Sequence, residues 1–359
     1  MAYTTIDDPS AFFQAETYTG AAANTAVTFS GNSDLQPDLL WIKNRGAGYA
    51  HFLVDSNRNI SYAQNSSNAP YLEPDSTAAE NNNQNWMQSV NTDGFTTGIS
   101  EHINSNSGSS FVAWAWKANG GTTSTNNDGA VTSTVQVNST AGFSILTYTM
   151  NSNSNETVGH GLGVAPDIII TKARERGDSN GFWSVYTTLI DGSLDYLKLN
   201  TTDAKSNSSL SAPTSTVFTG AGSSTASYRS FVAYCFKSVQ GYSKFGKYVG
   251  NGNSNGPFVF TGFKPAFVLI KNTAATQVWI MYDGARKPFN RDDNVASIYA
   301  SEVSAEYTGA SYHNLDILSN GFKIRLTDAS QNGSGVNYVY MAFAENPFVT
   351  SEGSPTVAR

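Results

Sequence analysis

The chain has 359 residues, enough for two or three hydrophobic cores, and a 12% aromatic content supplies bulk to fill them. Only 14% of residues are charged, against about 25% in an ordinary soluble domain, and the net charge is −7. These figures exclude a disordered chain; with no basic cluster larger than KARER at Lys172–Arg176, they also exclude a nucleic-acid binder.

The first residues, MAYTTIDDPSAFFQ, lack the basic start and apolar run of a signal peptide. They read as an N-terminal arm, 1–14, that can order on an assembled partner. At Leu35–Asn44 comes LQPDLLWIKN, a proline followed by a nearly continuous apolar run, as a strand buried on both sides would be. HFLVD at His51–Asp55 adds an aromatic strand, and the Asn-rich 73–89 reads as loop. NTDGFTTG at Asn91–Gly98 is a turn and strand. VAWAWK at Val112–Lys117 alternates with period two: Val112, Trp114 and Trp116 on one face, Ala113, Ala115 and Lys117 on the other. The large face is expected to enter the core, and the alanines to lie against a second sheet or a neighbouring domain.

The polar NGGTTSTNNDG at Asn119–Gly129 separates this unit from an echo of it. VAPDIIITKA at Val164–Ala173, FWSVY at Phe182–Tyr186 and VAYCFK at Val232–Lys237 repeat the pattern. After a second Gly-rich stretch at Ser238–Gly256 it returns as FKPAFVLIKN at Phe263–Asn272, WIMYD at Trp279–Asp283, LSNGFKIR at Leu318–Arg325 and YMAFAE at Tyr340–Glu345. From each proline to the end of the closing motif the interval is 80, 71 and 80 residues (Pro37 to Lys117, Pro166 to Lys237, Pro265 to Glu345). Such a rhythm marks one folding unit copied three times, and the unit has the size of a small domain. Turn-forming Asn, Ser, Thr and Gly between Val-, Ile-, Tyr- and Phe-rich segments predict an all-β fold. The 35 asparagines include Asn-Gly pairs at 119, 180, 251, 255, 320 and 332. The expectation is three tandem jelly-roll β-sandwich domains at 15–120, 121–240 and 241–359.

These motifs resemble a repeated β-sandwich module of marine bacteriophage structural and tail proteins. The resemblance rests on PDLLWIKN, NTDGFTTG and FVAWAWKA in copy one and on KPAFVLIKN, SNGFKIR and YVYMAFAENPF in copy three, with copy two the most divergent. It implies concanavalin-like or jelly-roll sandwiches in a virion structural or adhesive protein, with no defined catalytic residues. The implied location is the virion, with synthesis in the host cytoplasm and release by lysis. The single cysteine, Cys235, fits assembly in that reducing compartment and, from its place in a strand, reads as a small buried filler.

The chemistry-bearing residues agree. His51, His102, His160 and His313 are scattered without zinc-ligand spacing, no nucleophile elbow occurs, and no transmembrane span is present. No cofactor, metal site or catalytic residue is therefore expected. Asp55 and Asp283 match each other across copies, with Tyr186 at that place in copy two, and read as turn residues; Asp38 and Asp167 read as strand-start residues. The acidic loop at Asp292–Asn294 with Glu302 and Glu306 leaves calcium open. Trp41, Trp86, Trp183 and Trp279 are the candidate glycan contacts, set against core packing, the commoner role of aromatics at strand positions. The expected function is a non-catalytic tail fibre or tail-tip protein aiding host attachment, homo-oligomeric and possible as a trimer, with other virion proteins and host surface glycan as partners. The alternatives are a capsid decoration protein and, third, a polysaccharide-cleaving tailspike, which would need paired carboxylates.

Overall fold

The computed structural model describes residues 3–60, 69–83, 86–105, 108–151, 153–178, 180–222, 230–287, 290, 296–309 and 314–356. Apart from a 3-10 turn at Pro9–Ala11 and a four-residue helix at Ala329–Asn332, the regular structure among these residues is strand. The molecule is an all-β sandwich protein.

One strand order occurs three times. In copy one a sheet runs Phe13–Thr19, Ser110–Trp116, Leu39–Asn44, Phe52–Asp55. Copy two has Phe143–Thr149, Ser230–Phe236, Ile168–Ala173, Trp183–Thr187, and copy three has Ser243–Val249, Asn337–Pro347, Phe263–Asn272, Trp279–Asp283. These are the opening, closing, proline and aromatic strands of each copy. All pairs are antiparallel, and the registers superimpose: Leu39 faces Trp116 as Ile168 faces Phe236 and Phe267 faces Phe343. Copy two extends its sheet with Ser133–Asn138, laid along the opening strand. A smaller sheet backs each large one, built from Thr25–Val27, Phe95–Thr97 and Met87–Val90 in copy one. The others are Glu156–Gly159 with Val217–Gly220, and Phe258–Phe260 with Gly321–Ile324 and Leu315–Leu318. The Gly of the DGF and NGF motifs is needed where these sheets turn, because a Cβ at Gly94 or Gly321 would run into the carbonyl of Val27 or Val259.

Period-two alternation sends each large-sheet strand into two different cores. Phe111, Ala113 and Ala115 of the first closing strand pack inside their own sandwich, with Leu40 and Ile42. Val112, Trp114 and Trp116 point the other way, into a core shared by all three copies. The equivalents obey the same rule: Ala233 and Cys235 inward and Tyr234 and Phe236 shared; Tyr340 and Ala342 inward and Met341 and Phe343 shared. The small alanine face therefore belongs to the sandwich and the large face to the neighbouring copies. Both faces of the proline strands are covered, which is why their sequences are apolar without alternation. Where the copies meet, the shared core leaves a void of only about 30 Å³.

The described part of the N-terminal arm packs against the rest of the chain. Tyr3 donates to the Gly262 carbonyl and Thr4 to that of Gln240, Ile6 enters the shared core, and the opening strand begins at Phe13, inside the expected arm. Among the described residues no helix is long and apolar enough to cross a membrane.

Candidate functional site

The polar chemistry of this molecule lies in the seams between copies. Each proline strand ends in a buried lysine, and each lysine reaches into another copy. Lys43 Nζ donates to the carbonyls of Asn44, Tyr49 and, in copy three, Val303. Lys172 donates to Arg176, Gly181 and, in copy one, Thr77. Lys271 donates to Gln277 and, in copy two, Thr202. Burial lowers all three ammonium groups to about 8, opposed in each case by one aspartate: Asp75, Asp178 and Asp203 respectively.

Beside each lysine a ring nitrogen repeats the gesture. Trp183 Nε1 donates to Glu73 O of copy one, at 2.9 Å, and Trp279 Nε1 to Lys198 O of copy two, at 2.8 Å. Copy one has His51 there. Its Nδ1 accepts from Trp41 Nε1 at 2.8 Å, which leaves Nε2–H to face Tyr299 O of copy three at 3.1 Å. Burial pushes the His51 pKa well down, keeping the ring neutral as that arrangement requires. The three links close a cycle: copy one to three, three to two, two to one.

A second layer holds two of the three seams. Asp55 and Arg58 form a fully buried pair at 2.6 Å; Arg58 also meets Glu80 at 2.8 Å, and Glu80 takes Arg174 of copy two at 2.7 Å. Tyr234 of copy two donates to Asp55 Oδ2. The seam from copy three to copy one repeats this with Asp283, Arg286, Glu306 and Arg45, and with Trp114 donating to Asp283 Oδ2 at 2.9 Å. Burial opposes the Arg58 charge, but Asp55, Tyr234 and Glu80 together hold its pKa above the ordinary arginine value. Burial likewise works against Glu80 and Glu306, yet Arg174 and Arg45, with Arg58 and Arg286 behind them, keep both carboxyls below the usual range. Where copy two meets copy three, every member of the network differs. Thr187 and Ile190 stand for the Asp and Arg, Met341 for Tyr234 or Trp114, and Lys205, whose N–H meets Thr273 O, for the Glu. The strand register makes Thr187, not Tyr186, the counterpart of Asp55 and Asp283.

The residues singled out from sequence distribute as follows. Trp41, Trp183 and Trp279 lie in the shared core at 5%, 0% and 2% exposure, so none offers a ring face to a sugar. Trp86 is half-buried, stacked on His102 at 5.1 Å and against Tyr71. Asp38 is buried, and its carboxylate accepts from the amides of Ala118, Gly120 and Gly121. The loop leaving the closing strand can wrap it this way because Gly120 and Gly121 adopt positive φ. Asp167 serves the same exit in copy two through Lys237 and Ser238. Cys235 is fully buried, and burial pushes its thiol up to about 12. Glu306 is committed to its arginines, while Asp292–Asn294 and His313 lie outside the described residues. Among the described residues no group of three His, Cys, Asp or Glu could hold a metal ion.

Two features escaped the sequence reading although the sequence carries them. D-x-x-R occurs at Asp55–Arg58 and Asp283–Arg286, and both are the buried pairs. Tyr18, Tyr148 and Tyr248 recur in the opening strands, stacked on Phe111, Phe231 and Tyr338 at 5.2, 5.3 and 5.0 Å. A third feature shows only by comparing copies. Phe258 and Phe260 are 46% and 52% exposed on either side of buried Val259, whose counterparts Val27 and Val158 are flanked by small or polar residues.

Residues 8–347 match a family described as a domain of unknown function, DUF7483. The chain belongs to that family. The matched span takes in all three copies, so the cyclic arrangement lies within the family's defining unit. No curated protein and no solved structure matches the chain.

Proposed function

We propose that this DUF7483 protein is a non-catalytic bacteriophage virion component, a tail fibre or tail-tip protein that contributes to host-surface attachment. The observation that carries the attachment reading is the exposed pair Phe258 and Phe260, two large rings presented together on one copy of a scaffold whose other copies lack them. Exposed ring faces suit stacking on sugar or apolar contact with a receptor. The carboxylates best placed by repetition for glycoside cleavage, Asp55 and Asp283, are buried and bound to arginine, which supports a structural over a hydrolytic role. The cyclic arrangement favours, as a second reading, a capsid decoration protein seated at a threefold position of the head.

Gold-labelled antibody on intact particles separates the two. Labelling at the tail tip, with adsorption to host cells reduced by Phe258→Ser together with Phe260→Ser, is the expected outcome. Labelling over the head selects the decoration reading, and a particle lacking the chain removes both. Release of reducing ends from host polysaccharide would reinstate the enzyme.

A further inference from the structure

The opening strand is the outer member of the strand order the copies share, and the copies treat its outward side differently. In copy two, Ser133–Asn138 pairs along Phe143–Thr149 over six residues, from Asn138 opposite Phe143 to Ser133 opposite Tyr148. That added strand also fills the seam with copy one. Ser56 donates to Gln136 Oε1 at 3.0 Å, and Asn57 Nδ2 donates to the carbonyls of Thr134 and Ile145 at 3.0 and 3.1 Å.

In copy one no strand among the described residues pairs along the corresponding edge. The bonds from Lys117 N to Phe12 O and from Gly20 N to Ser109 O show that even-numbered residues bond the closing strand, so Phe13, Ala15 and Thr17 aim their amides and carbonyls away from it. Among the described residues the one partner found for these outward groups is local: Thr17 N–H donates to Glu16 Oε1 at 3.2 Å. Glu16 Oε2 is itself buried and, among the described residues, without a partner. This edge borders a cleft of about 580 Å³, walled by Phe13–Thr17 and Ser30–Asn32 of copy one and by Lys264, Gly284, Ala285 and Glu345 of copy three. Register makes Gly284 and Ala285 the counterparts of Ser56 and Asn57. At the filled seam those positions carry side chains that hold the extra strand; at the open one they carry almost none, and space remains.

We propose that the outward edge of Phe13–Thr19 is a strand-acceptor site. It takes an extended segment of about six residues from a second polypeptide, antiparallel to the opening strand, in the place that Ser133–Asn138 occupies in copy two. The segment alternates as its internal counterpart does, where buried Ser133 and Val135 face the sandwich and Thr134 and Gln136 face the seam. Main-chain ladder bonds to Phe13, Ala15 and Thr17 supply affinity, and the cleft next to Gly284 selects for side chains that fit it. The site is independent of where in a particle the protein sits.

The probe is a fluorescent peptide with the sequence of residues 132–139, titrated into the full chain and followed by anisotropy. Saturable binding is expected. Thr17→Pro removes an outward amide at a sheet edge, where proline is tolerated, and is expected to abolish binding; Thr17→Val, which keeps the amide, is expected to retain it. Gly284→Phe approaches from the opposite wall without touching the strand. A Cβ at Gly284 has no neighbour nearer than 3.6 Å, so a side chain can start there without a clash, and the variant, its fold checked by circular dichroism, should weaken binding by about tenfold or more. Absence of saturable binding, or binding that both Thr17→Pro and Gly284→Phe leave unchanged, overturns the proposal.

Discussion

Lys43, Lys172 and Lys271 show at the level of single residues how burial and position are traded. Each gives up water for two or more backbone carbonyls and in return ties one copy to another. In the folded chain their pKa values stand near 8, while in the unfolded chain a lysine stays protonated to about 10.5. Above pH 8 the unfolded state thus binds more protons, and stability rises with pH. Tyr18, Tyr148, Tyr234, Tyr248 and Tyr282, all raised well above 10 by burial, reverse the slope once unfolded tyrosines ionise. The lysine contribution is therefore read between pH 8 and 10, where urea midpoints of the native chain should climb more steeply than those of Lys172→Met; parallel slopes would refute the assignment. Arg286 carries a second expectation. Arg286→Met leaves Asp283 buried without its cation and Glu306 with Arg45 alone, and should cost about 3–5 kcal/mol in urea unfolding. A loss under about 1 kcal/mol would show that the network is not held as described.

The closing strand is the element that joins the two kinds of core. Its alanine face touches its own small sheet and its aromatic face touches the other copies, so size is constrained on both sides. Ala115→Leu adds three carbons to a fully buried site and should destabilise by about 1–3 kcal/mol through overpacking. Cys235→Ala, which writes the residue of copy one into copy two, should cost no more than about 1.5 kcal/mol. If the two substitutions cost the same, the inward face is not tightly filled. The period of VAWAWK made this two-faced strand legible in advance. It did not say which face met which neighbour, because alternation records burial on both sides without naming the partner.

Over the whole molecule, the three copies are not separate beads. The shared core draws Trp114 and Trp116 from copy one, Trp183, Tyr234 and Phe236 from copy two, and Phe267, Trp279 and Phe343 from copy three. A fragment spanning 121–240 would expose its share of that core, and it should bind a hydrophobic dye and self-associate, whereas the full chain unfolds in one transition. A monomeric, dye-silent fragment with cooperative unfolding would contradict this interdependence. The seam of copies two and three adds a lesson about networks. All members of the ionic cluster are replaced there together, by Thr187, Ile190, Met341, Lys205 and Thr273, as expected when a half-paired buried charge costs more than none.

Composition, turn residues and the threefold rhythm of proline, lysine and closing motif were enough to establish an all-β sandwich chain with an internal repeat, because strand and turn preferences are local and a copied unit copies its pattern. The sequence also held the D-x-x-R pairs and the opening-strand tyrosines in plain view. What tertiary structure alone decided is where those residues look. It placed Trp41, Trp183 and Trp279, candidate glycan contacts with core packing as the competing reading, in the core, made Asp55 and Asp283 parts of buried ion networks, and left the edge of Phe13–Thr19 without a partner strand among the described residues, beside a cleft. Each outcome depends on how one copy is rotated against the next, and that rotation comes from contacts between residues 69 to 261 positions apart, on which no local preference bears.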